Sequence, residues 1–118
     1  MMNTNILIVE DDAVFCKLLT RFLGKNGFLV ADAQDGKHAV KLLEEQTFSL
    51  GILDYRLPDM DGIEILQLIK EKNPSTKVII MTRYGDEGIA QLAIEKGADA
   101  FIAKPINPTE LLEVIQGI

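Results

Sequence analysis

The chain of 118 residues contains one cysteine and no tryptophan, and its 12 Lys and Arg are outnumbered by 18 Asp and Glu. The single thiol, Cys16, can form neither an internal disulfide nor a cysteine-built zinc site, as expected in a reducing compartment. A formal charge of −6 argues against direct nucleic-acid binding, which needs cations to neutralise phosphates; any DNA contact would require another domain. No apolar stretch approaches the roughly 20 residues of a membrane span, and the N-terminus MMNTNILIVEDD lacks the basic start and cleavage site of a signal peptide. A cytoplasmic protein without membrane contact is expected. Neither a Walker loop nor G-x-G-x-x-G follows the first apolar run, which weakens a nucleotide-binding reading.

What is present is an ordinary globular composition, 47% hydrophobic and 25% charged, in a length that suits one domain over residues 1–118. Short β-rich runs alternate with helical patterns, the signature of βα units around a parallel sheet. The runs at 5–9, 28–33, 49–54, 77–82 and 99–103 are the expected strands. The first, third and fourth are nearly continuous apolar segments, as sheet centres buried on both faces require. In the first helical pattern Phe15, Leu18, Leu19 and Phe22 share one face and read as core. Cys16 also reads as core, and His38 as a surface residue of the second helix. Asp61 with Glu64, and Asn107 with Pro108 and Glu110, have cap spacing for the third and fifth helices, and Gly97 fits a stop after the fourth.

Right-handed crossovers put helices on both faces of such a sheet and place the ligand site at the carboxyl ends of the strands. One rim therefore gathers Glu10, Asp11 and Asp12 from the first strand, Asp54 from the third, Thr82 from the fourth, and Lys104 with Pro105 from the fifth. Clustered carboxylates stay ionised together beside a hard divalent cation. Magnesium suits oxygen donors and completes its shell with water and phosphate oxygens. On that reading Asp54 is a nucleophile that forms an aspartyl phosphate, Thr82 donates to a phosphoryl oxygen, and Lys104 pairs with another. Each residue has a plainer reading: an acidic loop at a helix start, Thr82 as a cap of the fourth helix, Lys104 as a surface charge. Their joint occurrence at strand ends favours the site.

The segments Ile6-Leu7-Ile8-Val9-Glu10-Asp11-Asp12, Leu53-Asp54-Tyr55-Arg56-Leu57-Pro58-Asp59-Met60-Asp61-Gly62, Ile79-Ile80-Met81-Thr82 and Gly97-Ala98-Asp99-Ala100-Phe101-Ile102-Ala103-Lys104-Pro105 together resemble the receiver domain of bacterial two-component response regulators. The resemblance spans essentially the whole chain. It implies a flavodoxin-like, doubly wound (βα)5 fold with strand order 2-1-3-4-5, and Mg2+-dependent phosphotransfer to Asp54 from a sensor histidine kinase or a histidine phosphotransfer protein. It further implies Asp11 as a direct magnesium ligand, Glu10 acting mainly through water, Asp54 as a second ligand and the Arg56 carbonyl as a third. Asp12 becomes a helix cap, and Lys104 a phosphoryl ligand aimed by a following cis Pro105. Thr82 and Phe101 resemble the switch pair that alters the face made by the fourth helix, fifth strand and fifth helix, where an output domain or a second copy in a homodimer would bind.

The chain departs from that pattern at three positions. Gly51 lies inside the central strand where a bulkier residue is usual. Arg83 follows the switch threonine where a small residue is usual; it either screens the pocket mouth or points to solvent and pairs with Asp86 or Glu87. The Arg56 side chain also flanks the pocket. Of the competing classes, an aspartyl phosphatase of the haloacid dehalogenase type wants an acid two residues after its nucleophile, where this chain has Arg56. A phosphorylation-independent interaction module that keeps the receiver fold is the other.

Overall fold

The computed structural model describes residues 4–83 and 87–118. Strands β1 (Asn5–Val9), β2 (Leu29–Ala33), β3 (Leu50–Asp54), β4 (Lys77–Arg83) and β5 (Ala100–Lys104) alternate with helices α1 (Ala13–Lys25), α2 (Gly36–Glu45), α3 (Gly62–Lys72), α4 (Glu87–Glu95) and α5 (Pro108–Gly117). The strands pair in parallel in the order β2-β1-β3-β4-β5. This is the expected doubly wound α/β sheet, with strand limits within one residue of those read from sequence. Phe28, expected in the second strand, instead donates its N–H to the Leu23 carbonyl and closes the end of α1.

The three apolar runs are the three inner strands, and pleating sorts their side chains between two core layers. Ile6, Ile8, Ile52, Ile79 and Met81 point to α1 and α5, where they meet Cys16, Leu19, Leu23 and Leu111. Leu7, Val9, Leu53, Val78 and Ile80 point the other way, toward Ala39, Leu43, Leu66, Ile69 and Ala93 of α2, α3 and α4. Gly51 is filled from outside its strand: the Ile69 side chain covers it so closely that a Cβ at Gly51 would lie 3.2 Å from Ile69 Cδ1.

The inner face of α1 differs from the one read from periodicity. Its fully buried positions are Cys16, Leu19 and Leu23, with Phe15 and Phe22 partly buried beside them. Leu18 is 49% exposed, because α1 turns the Cys16 side of the helix to the sheet. A fully buried leucine such as Leu19 contributes about 1.5–3 kcal/mol; Leu18 contributes a fraction of that.

The caps fall where the residue types place them. Asp61 and Glu64 form a reciprocal capping box on α3, and Asn107 accepts from Thr109 N–H with Pro108 at the first turn of α5. Gly97 takes φ 109° after α4, letting Gly97 N–H reach Ile94 and Ala98 N–H reach Ala93, a Schellman closure that an L side chain would strain. Among the described residues no helix is long and apolar enough to cross a membrane.

Candidate functional site

Four strand ends build the site. Leaving β1, the chain places Glu10 fully buried, then turns outward through the exposed Asp11 to Asp12, which caps α1 by accepting from Val14 and Phe15 N–H. The turn is fixed from inside by Glu10, whose Oε2 accepts the Asp12 N–H at 2.9 Å. Asp54, at the end of β3, is 5% exposed. Glu10, Asp11 and Asp54 each offer a carboxylate oxygen, and the three atoms lie within 4.8 Å of one another. That spacing and an all-oxygen donor set fit a hard divalent cation.

The loop after Asp54 doubles back at once. Gly62 N–H donates to the Tyr55 carbonyl at 2.7 Å, and Arg56 bridges Asp61 in antiparallel fashion. Gly62 has to be glycine, because a Cβ there would overlap the Asp54 carbonyl oxygen. The Arg56 guanidinium lies over the Tyr55 ring, 5.8 Å from its centroid.

From the far side of the rim comes Lys104, which precedes a cis Pro105. Its ammonium lies 2.5 Å from Glu10 Oε1, 3.3 Å from Asp54 Oδ2 and 5.5 Å from the centroid of Phe15. Burial pushes the Glu10 carboxyl up to about 7, against the hydrogen bond from Lys104 that pulls it down. Burial also raises Asp54, opposed by Lys104 and by the Arg56 backbone. For Lys104 burial disfavours the charge, but the two carboxylates outweigh it and keep its pKa above the ordinary value. The ammonium is therefore held charged between two acids.

Thr82 is buried within β4, beside Ala103 of β5. It does not cap the fourth helix, which begins at Glu87, because the extended backbone of β4 continues through Arg83. Phe101 pairs with Ile80 in the β4–β5 register and is half-buried against the α2–α4 core layer. Arg83 is exposed, stands opposite Lys104 in the register, and lines a cavity of about 530 Å³ with Asp12, Phe15, Lys104 and Pro105. Asp86, its alternative partner, lies outside the described residues, as does the side chain of Glu87. His38 is exposed in the first turn of α2, where its ring bonds Asp35, the residue that caps the helix.

Residues 6–116 match the family model of the response regulator receiver domain. The chain belongs to that family. This receiver domain is 42% identical over 109 residues to a cyclic di-GMP phosphodiesterase of Thermotoga maritima, covering 92% of the chain but 29% of that protein. It is 38% identical over 112 residues to the chemotaxis protein CheY of Listeria monocytogenes, covering 93% of the chain and 94% of the relative. A CheY-like receiver domain protein of Methanospirillum hungatei superposes with a TM-score of 0.93 at 34% identity, covering 98% of this chain and 93% of that one. A Burkholderia pseudomallei response regulator, whose structure holds a phosphorylated aspartic acid, a calcium ion and citrate, superposes with a TM-score of 0.90 at 28% identity over 97% of this chain and 67% of that one.

Two relationships at the rim have no sequence signal. The Glu10–Lys104 pair joins residues 94 positions apart, and Lys104 reads from sequence as a phosphoryl ligand or a surface charge. Asp59 has no role of its own in the sequence reading, yet its carboxylate accepts the backbone N–H groups of Gly36 and Lys37. Aspartate in a turn is too common for spacing to single it out.

Proposed function

We propose that this receiver domain accepts a phosphoryl group on Asp54 from the phosphohistidine of a sensor histidine kinase or a histidine phosphotransfer protein, and that the modified state alters its α4-β5-α5 face to control an output domain, a partner or a second copy. The observation that carries this reading is the setting of Asp54: two further carboxylates close beside it and the Lys104 ammonium 3.3 Å away.

Glu10, Asp11, Asp54 and the Arg56 carbonyl would hold Mg2+, which when bound offsets charge on the transferring phosphoryl group. In the transfer an Asp54 carboxylate oxygen attacks phosphorus, the phosphorus–nitrogen bond to histidine breaks, and the nitrogen keeps the electron pair. Lys104 then exchanges its contact with the Asp54 carboxylate for a phosphoryl oxygen, for which it is already positioned and charged. The Thr82 hydroxyl donates to another. Drawing Thr82 toward the phosphoryl group opens room beside β5 for the Phe101 ring to turn inward, a population shift driven by a local charge. Phe101 lacks a hydroxyl, so its state is reported by packing alone. No substrate other than the domain's own aspartate is turned over, and transfer and hydrolysis both act on that residue.

Intact-mass measurement after incubation with acetyl phosphate and Mg2+ tests the reading. Wild type should gain one phosphoryl group and Asp54→Asn none, since asparagine cannot form the acyl phosphate. Equal labelling of both would remove Asp54 from its role. The absence of any amide-shift response to beryllofluoride with Mg2+ would instead favour a phosphorylation-independent module.

A further inference from the structure

The loop from Tyr55 to Asp61 carries the Arg56 carbonyl and is closed at its base by Gly62 N–H to Tyr55 and by the Arg56–Asp61 bridge. Its outer end is tied to a different element. Asp59 Oδ1 accepts Gly36 N–H at 2.7 Å and Oδ2 accepts Lys37 N–H at 2.9 Å, while Asp35 accepts His38 N–H at 2.8 Å. The first N–H groups of α2 are thus shared between its own cap and a carboxylate from the loop after β3. A second observation marks the same junction. Met60 packs into the space over Gly36, where a Cβ would collide with its Cγ and Sδ, and it also leans on the core layer of α2 and α3. Asp59 and Met60 together hold the loop tip in the seat that Gly36 leaves open.

Resting on the function proposed above, we propose that Asp59 is a positioning residue for the Mg2+ site: by anchoring the loop tip to the start of α2 it fixes where the Arg56 carbonyl is presented. The physical case is one of geometry and entropy. A carbonyl on a loop tied only at its base samples orientations that must be lost when it ligates a cation, whereas a bidentate tie at the tip removes that freedom beforehand. Asp59 accepts both hydrogen bonds at a helix N-terminus, where the orphan N–H groups favour a carboxylate oxygen. Any cap on α2 would support that helix. Asp59 also joins it to the loop by hydrogen bonds, beside the packing of Met60.

Asp35→Ala is therefore the control, since it removes a cap from the same helix end without touching the loop. Mg2+ alone is the probe, titrated into isotope-labelled protein and followed by amide shifts, with amide hydrogen exchange measured separately in chelator. Asp59→Ala should weaken Mg2+ binding roughly tenfold, the lower end for groups that orient a metal ligand, and speed exchange at Gly62. Asp35→Ala should lower the melting temperature comparably while leaving both readouts near wild type. Mg2+ affinity within twofold of wild type in Asp59→Ala, or an equal loss in Asp35→Ala, would overturn the proposal. If Asp59→Ala fails to fold, Asp59→Asn, which keeps one acceptor oxygen, takes its place, and unchanged affinity there is equally decisive. Should wild type bind no Mg2+, the proposed function fails, while the exchange at Gly62 still decides whether Asp59 restrains the loop.

Discussion

Lys104 reaches across the sheet rim to Glu10, 2.5 Å away, and so ties the last strand to the first at the fully buried acid of the site. The burial of that acid, opposed by the pairing, sets the pH response of the metal-free protein. Glu10 has a pKa raised from 4.5 to about 7, mainly by burial, so the fold holds its proton more tightly than the unfolded chain does. Between those two pH values the unfolded state has released a proton that the native state keeps, and stability falls as pH rises across the window. Asp54 is shifted in the same direction and adds the same sign from lower pH.

In chelator, urea unfolding should therefore give a lower stability near pH 7.5 than near pH 5, by about 3 kcal/mol at most. Glu10→Gln should flatten that slope, and saturating Mg2+ should do so too by keeping the carboxylates ionised. A metal-free stability that climbs from pH 5 to pH 7.5 would contradict the burial-driven shift of Glu10.

Asp11 and Asp12 are adjacent but do different work. Asp12 spends its carboxylate on the N–H groups of Val14 and Phe15, whereas Asp11 is exposed and contributes to the three-carboxylate cluster. Asp12→Ala should cost about 1 kcal/mol of stability through the lost cap and leave much of the Mg2+ affinity, while Asp12→Asn, itself a good cap, should change little. Asp11→Asn should lose most of the Mg2+ affinity at unchanged or higher metal-free stability. Thermal melts and Mg2+ titrations on the same samples separate the two. Greater damage to binding from Asp12→Asn would reverse the roles.

The fold was readable in the sequence because it rests on alternation: buried strands have to be apolar on both faces, and Ile6-Leu7-Ile8-Val9 can hardly be placed elsewhere. The site was readable for a related reason, since parallel strands bring their carboxyl ends to one rim whatever the sequence distance between them. Periodicity alone could not choose between neighbouring stripes on α1, where Phe15, Leu18, Leu19 and Phe22 lie next to Cys16 and Leu23; the choice depends on how the helix is rolled against β1 and α5. Nor could spacing reveal Asp59 against the start of α2 or Lys104 against Glu10, because both are contacts between elements whose approach is fixed by packing.

Glycines at two positions should behave oppositely. A Cβ at Gly62 meets the backbone of Asp54 and Tyr55, which cannot swing aside as a side chain would, whereas nothing lies within 4 Å of a Cβ at Gly24 in α1. Gly62→Ala should destabilise by about 2 kcal/mol or more through displaced backbone, and slow labelling of Asp54 beyond what the unfolded fraction explains. Gly24→Ala should stabilise by up to about 1 kcal/mol by restricting the unfolded chain and favouring helix. Denaturation midpoints measured together decide it, and a tolerated Gly62→Ala would mean that the loop can relax away from Asp54.

Arg83 should lengthen the lifetime of the phosphorylated state. It ends β4 one residue beyond the buried Thr82, opposite Lys104, and lines the same cavity as Lys104, Pro105 and Phe15. Hydrolysis needs a water in line with the bond between Asp54 oxygen and phosphorus, so a long cationic side chain at that mouth obstructs the approach, and its guanidinium can pair with phosphoryl oxygens. A small residue would do neither. An arginine held in solvent by a surface ion pair would have no such effect, since exposed pairs fix a side chain only weakly. Arg83→Ala should therefore lose phosphate several-fold faster than wild type in Mg2+, with Mg2+ affinity unchanged because none of the proposed ligands is removed. Arg83→Lys separates the two contributions: it keeps the charge but not the planar fork, so a lifetime close to wild type assigns the effect to charge and length, and one close to alanine assigns it to bidentate pairing. Dephosphorylation followed by intact mass after removal of the phosphodonor gives the rates directly, and an unchanged or slower rate in Arg83→Ala would leave Arg83 without a part in the chemistry.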